Sequence, residues 1–136
     1  MNIEEALELL KTSHRAVLAT RRRDGRPQLS PVVEAVGDHG RILISTRSGT
    51  VKVRNIKRDP LVSICVLPDE FFGKWVQIDG TASVIALPEA MPLLRSTYVK
   101  IAGEHPNWDE FESDMATQRR VIIAIKPERA GPDVSG

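Results

Sequence analysis

Arg15-Ala16-Val17-Leu18-Ala19-Thr20, then Arg23-Asp24-Gly25-Arg26, then Gln28-Leu29-Ser30-Pro31-Val32-Val33-Glu34-Ala35-Val36: the reading of this stretch decides the fold. Two strand-like runs separated by Asp-Gly form a strong hairpin signal, because the glycine takes the positive φ that a tight antiparallel turn requires. The remainder of the chain continues the pattern. Gly37-Asp38-His39-Gly40 makes a second turn and leads to a strand over residues 41 to 46. Leu61-Val62-Ser63-Ile64-Cys65-Val66-Leu67 reads as a buried strand, with Cys65 as a core thiol rather than a nucleophile. Residues 75 to 86 form a long strand in which Gly80 marks a bulge or bend, and Arg119 to Lys126 is the last strand. Six strands, most joined directly by short turns, predict a mainly β fold with α insertions, a six-stranded antiparallel barrel.

Helix signals fall between the strands. Asn2 followed by Glu5 is a capping box for a helix over residues 3 to 12. A second helix starts around Pro88 to Met91, delayed by Pro92, and stops at Gly103; Asn107 with Glu110 opens a third over residues 108 to 118. At 136 residues the chain reads as one domain, residues 1–136, with residues 126–136 a frayed tail.

A further helix is basic and carries the functional signal. Ser48-Gly49-Thr50-Val51-Lys52-Val53-Arg54-Asn55-Ile56-Lys57-Arg58-Asp59-Pro60 follows the third strand, with Ser48 or Thr50 as its cap and Asp59-Pro60 as its end. Lys57 and Arg58 sit in the last turn, where the helix dipole favours cations. Lys52 sits in the first turn, with Arg47 just before and Arg54 just beyond, where each cation loses about 0.3–1 kcal/mol. A bound anion would reverse that sign. From the residues alone, an anion cradle and a solvated basic helix are both open readings.

Composition narrows the classes. With 19 basic and 18 acidic residues the formal charge is +1, so no global field favours nucleic acid. No apolar run approaches the roughly 20 residues of a membrane span, and Met1-Asn2-Ile3-Glu4-Glu5 lacks the basic start of a signal peptide, so a cytoplasmic protein with no membrane partner is expected. His14, His39 and His105 are too scattered for a metal site, and neither G-x-G-x-x-G nor G-x-x-x-x-G-K-S/T occurs.

Three stretches carry a family resemblance: Val17 to Thr20 with Asp24 to Ser30; Thr50 to Pro60; and Ile101-Ala102-Gly103-Glu104-His105-Pro106-Asn107-Trp108-Asp109-Glu110. On these the chain resembles the FMN-binding split-barrel proteins related to pyridoxamine 5'-phosphate oxidase, most closely their coenzyme F420-dependent oxidoreductases. The resemblance implies a split β-barrel and a homodimer with cofactor at its interface. It implies Gln28, Leu29, Ser30, Pro31 and Val32 beside the cofactor ring, with ordinary strand packing as the alternative for Leu29 and Val32. It further implies Ser45, Thr46, Arg47, Thr50 and Lys52 around the cofactor phosphate, Arg54 and Asn55 supporting them, and Trp75 and the Trp108 segment closing the cleft from the partner chain, with a core anchor as the alternative for Trp108. Thr50 stands where many relatives have serine or arginine, and a hydroxyl cannot supply the charge of a guanidinium.

The implied activity is hydride transfer from reduced F420 to a conjugated small molecule. It requires no catalytic side chain, since the cofactor carries the chemistry. An FMN-binding oxidoreductase or pyridoxamine 5'-phosphate oxidase-like enzyme is the alternative, and a non-catalytic F420 carrier a third. Against the oxidase, no arginine-bearing segment of the expected kind follows Lys126. Phe71, Phe72, His105 and Trp108 are left without assigned roles.

Overall fold

Apolar alternation turns one face of each strand toward a common interior. β1 (Arg15–Arg21) sends in Ala16 and Leu18, β3 (Ile42–Arg47) sends in Ile42 and Ile44, and β4 (Leu61–Leu67) sends in Val62, Ile64 and Val66. β2 (Pro27–Val36), β5 (Val76–Ile85) and β6 (Arg120–Asp133) complete the set with Val32, Ile78 and Ile123 among others. In this computed structural model, which describes residues 1–135, the six strands pair antiparallel in the order β1-β2-β3-β6-β5-β4 and close into a barrel. Closure removes the exposed sheet edges that an open sheet would present.

The opening hairpin forms as expected, with Gly25 at φ 86° and the Arg22 N–H donating to the Arg26 carbonyl at 2.9 Å. α1 (Ile3–Leu10) carries the reciprocal Asn2–Glu5 capping box and buries Ala6 and Leu10 in the barrel interior. α2 (Val51–Arg58) follows β3. α3 (Met91–Ala102) and α4 (Trp108–Thr117) pack Leu94 and Phe111 over Leu43, Ile122 and Ala124 on the outer face of β3 and β6. Pro92 lies in the first turn of α3, where its missing donor costs nothing, and Gly103 ends that helix at φ 83°.

Two expectations need correction. Residues 126–133 are not a frayed tail: β6 continues to Asp133 beside β5, and the Asp133 carboxylate accepts from the Met1 amine at 2.6 Å. The signal was hidden by Pro127 and Pro132, which fit an end strand only because it is irregular there. Cys65 is half-buried on the outer face of β4 and not in the core, because the run Leu61–Leu67 alternates although every residue but Ser63 is apolar.

The ladder between β2 and β3 is short. It holds three pairs, Glu34↔Ile44, Ala35↔Leu43 and Val36↔Ile42, whereas β3 stays paired with β6 from Ile42↔Ile125 to Arg47↔Arg120. Pro31, three residues beyond the last pair, limits any extension. The Glu34 N–H donates to the His14 carbonyl, which makes Arg15↔Val33 and, two residues on, Val17↔Pro31 pairs without mutual hydrogen bonds. The donor that Pro31 lacks would therefore face β3, so the ladder cannot run past it intact.

Gly80 sits where the β5–β6 register shifts, and a Cβ there would meet the Lys126 carbonyl and lie 2.8 Å from Ile125 Cγ2. Gly80→Ala is expected to cost about 1–3 kcal/mol by overpacking, read as a lower urea midpoint with unchanged slope.

Candidate functional site

Where β2 and β3 part, a cleft of about 840 Å³ opens. One lip is Pro31, Val32 and Val33, the other Ser45 and Thr46; Lys52 and Arg120 join them, and Leu94, Tyr98, Ile101, Phe111 and Met115 from α3 and α4 add an apolar wall. By the alternation of hydrogen-bonding directions, Val33 and Pro31 point backbone groups into this split. An apolar cavity of this size with a few convergent polar groups suits a small planar ligand.

Its charge is one-sided. Arg47 and Arg120 face each other directly across the β3–β6 ladder, a like-charge pair of the kind that weakens a sheet. Lys52 lies in the first turn of α2, and its ammonium is held below its ordinary pKa, first by burial and then by Arg120. Burial and Arg47 act on Arg120 in the same direction. Among the described residues none of the three belongs to an ion pair. Thr50 occupies the cap position of α2, yet contrary to expectation neither it nor Ser48 caps the helix. The Thr50 hydroxyl instead donates to the Arg47 carbonyl at 3.0 Å. The first-turn N–H groups therefore remain for another acceptor.

A family model described as pyridoxamine 5'-phosphate oxidase matches residues 3–132. The chain belongs to the pyridoxamine 5'-phosphate oxidase family. Proteins of this family bind flavins or deazaflavins. Among solved structures, the conserved hypothetical protein Rv2991 from Mycobacterium tuberculosis is similar at 27% identity, covering 96% of this chain and 82% of that one, with a TM-score of 0.79. A structure described as an F420 reductase is similar at 26% identity over 91% and 94% of the two chains, TM-score 0.68. The haem storage protein HutZ from Vibrio cholerae shares the fold at 20% identity over 98% and 96%, TM-score 0.73.

Of the residues that the family resemblance placed at the cofactor, the structure brings Pro31, Val32, Ser45, Thr46 and Lys52 together in the cleft. Gln28 and Ser30 do not line it: they bond one another and lead inward to a polar chain. In that chain the Thr20 hydroxyl lies 3.4 Å from Gln28 Oε1 and accepts from Asn55 Nδ2 at 3.0 Å, while Arg58 donates to Asn55 Oδ1 at 3.1 Å. Asn55 is thus a buried tie between α2 and the hairpin. Leu29 is 61% exposed on the outer face. Arg54 reaches back to the Gly49 carbonyl at 2.9 Å and borders a separate polar pocket with Arg22, Arg23 and Arg58. Arg47 and Thr50 lie outside the cleft lining, and so does Trp75, which precedes β5 and accepts from the Val134 N–H through its carbonyl.

Sequence reasoning missed Arg120 and Tyr98. Arg120 was visible only as a strand residue, and the register that sets it against Arg47 is a long-range fact. Tyr98 lies in a ring cluster with His105, Trp108 and Phe111, centroids 5.0–6.1 Å apart, so His105 and Trp108 pack the α3–α4 corner. Phe71 and Phe72 are 74% and 88% exposed. No group of three or more metal-ligating side chains occurs among the described residues, and no helix is long and apolar enough to cross a membrane.

Asn55→Ala removes a buried partner of Thr20 and Arg58. It is expected to cost about 1–3 kcal/mol in chemical denaturation, and more than Arg54→Ala, whose side chain is exposed.

Proposed function

We propose that this protein is an F420-dependent oxidoreductase that passes a hydride to a conjugated small-molecule acceptor. The observation that carries it is the uncompensated cluster of Lys52, Arg120 and Arg47 beside an uncapped helix start, at a cleft with an apolar wall. The likeness to an F420 reductase over nine-tenths of the chain supports the choice of cofactor. The residues present fit such a group. Lys52, Arg120, the first-turn N–H groups of α2 and the Ser45 and Thr46 hydroxyls would hold its phosphate, and the β2 lip from Pro31 to Val33 would flank its ring. A bound deazaflavin supplies two-electron hydride chemistry. The chain's own residues bind, orient and exclude water, with Tyr98, Ile101 and Phe111 shielding the apolar side.

The matching family model keeps a second reading in view, an FMN enzyme, since FMN also presents one phosphate beside a ring. Purified protein titrated side by side with F420 and FMN separates the two. Tighter F420 binding, with oxidation of reduced F420 by enones, quinones or tetrapyrroles, supports the first; a bound yellow flavin identified by mass supports the second. F420 binding without turnover on any acceptor would identify a carrier.

We also propose a second copy of this chain against the outer face of β2, β1 and β4. Cross-strand neighbours Pro31, Val17 and Cys65 form an apolar row there, flanked by the exposed Val33 and Leu29 and bordering the cleft wall of α3. An exposed patch of this kind marks an interface.

Lys52→Ala and Arg120→Ala are each expected to weaken F420 binding by about 1.5–3 kcal/mol, the range for a charged hydrogen bond, in a fluorescence titration where Lys57→Ala changes nothing. Unchanged affinity in both would sink the cradle assignment. Val33→Asp is expected to convert a dimer to a monomer in sedimentation, and a wild-type monomer would remove the interface.

A further inference from the structure

Glu34 belongs to neither the cleft lining nor the polar chain. Its side chain is 0% exposed, and neither carboxyl oxygen has a hydrogen-bond partner. Its backbone is firmly held: the Glu34 N–H donates to the His14 carbonyl at 2.8 Å, and His14 Nδ1 lies 2.9 Å from the Glu34 carbonyl oxygen. Strand alternation points the side chain inward with Val32, opposite Ile44, into the apolar interior.

The charges on the surrounding elements lie elsewhere. α1 keeps Glu4, Glu5, Glu8 and Lys11 exposed, and Arg15 on β1 pairs with Asp69 outside the barrel. Asp79 on β5 is engaged by Ser63 and Gln77 on the outer face, Arg47 is exposed at the end of β3, and Lys52 of α2 and Arg120 of β6 line the cleft. His14 meets Glu34 through backbone atoms. An ionised carboxylate in this interior has no counter-charge and no donor, an arrangement proteins avoid by keeping the group neutral.

The position of this group is what matters. Glu34↔Ile44 is the last pair of the β2–β3 ladder, and the next residues inward on each strand, Val32 and Thr46, both line the cleft. We propose that Glu34 is a proton-operated latch at the apex of the split. With the carboxyl neutral, the side chain stays in the barrel interior and the ladder is shut; with it ionised, the side chain swings toward the cleft cations and the ladder opens from this pair. The latch stands whatever the cleft binds.

Burial pushes the Glu34 pKa up from 4.5 to about 8. The closed state therefore keeps a proton that an open, hydrated state releases at its ordinary value. Closure is fully favoured below that ordinary value, weakens by up to tenfold per pH unit as pH rises toward about 8, and levels off above it. Through the latch, cleft width follows pH across the neutral range. An anion held by Lys52 and Arg120 would compete with ionised Glu34 for those cations, a consequence that rests on the function proposed above.

Hydrogen exchange by NMR on the ligand-free full chain, corrected for intrinsic rates, tests this between pH 6 and 9. Protection of the Ala35 and Leu43 amides should fall at least tenfold while the β3–β6 amides of Val121 and Ile123 hold, and Glu34→Gln should abolish the pH dependence. A uniform loss across all ladders, or the same local loss in Glu34→Gln, would overturn the latch. Should the variant not fold, carboxyl-carbon titration of the wild type decides: a Glu34 midpoint that coincides with the local loss of Ala35 and Leu43 protection supports the latch, and one that does not coincide with it overturns it.

Discussion

The site depends on a ladder that stops. A closed barrel satisfies its backbone groups strand against strand, and five of the six seams here run long enough to do so. The sixth, β2 against β3, holds for three pairs and then parts. Pro31, three residues beyond the last pair, keeps the ladder from resuming, because the donor it lacks faces the missing partner. A break inside a closed barrel leaves backbone groups lining a cavity that the rest of the sheet holds rigid. The same break that weakens the seam therefore makes the site.

The second constraint is electrostatic. Continued pairing of β3 with β6 sets Arg47 opposite Arg120, and the turn at Ser48–Gly49 brings Lys52 back toward them. Arg120 has Lys52 and Arg47 as neighbouring charges, and partial burial denies Lys52 and Arg120 full hydration. Such an arrangement costs stability in the free protein, and a bound anion would offset that cost. Asn55 holds α2 against Thr20 so that the helix cannot relax the repulsion by tilting away. Stability and binding are set against each other at this corner, a pattern expected of functional sites.

Much of the fold was legible because its signals are local. Asp24-Gly25, the Asn2–Glu5 box and the stop at Gly103 each state their geometry within a few residues, and the apolar runs declared all six strands. The errors came where local signals conflict with tertiary pairing. Two prolines made residues 127 to 133 look like a tail, although β5 is long enough to recruit them. An almost wholly apolar β4 concealed its alternation, so Cys65 was placed on the wrong face. At the site, Lys52 could be found from its place in the first turn of a helix. Arg120 could not, because nothing within its own segment says that it faces Arg47.

Glu34 lies at the far limit of what sequence can reveal. Within Val32-Val33-Glu34-Ala35-Val36 a single carboxylate reads as the solvent-facing member of an alternating strand, yet register puts Val33 outside and Glu34 inside. A one-residue shift would reverse this, and the tight turn at Asp24–Gly25, which pairs Arg21 with Pro27, opposes it. The buried acid is therefore a consequence of register, enforced by the same hairpin that positions Pro31 three residues earlier. Pro31 and the last paired residue, Glu34, share one strand. Any change that slips β2 must alter both the cleft and its apex together.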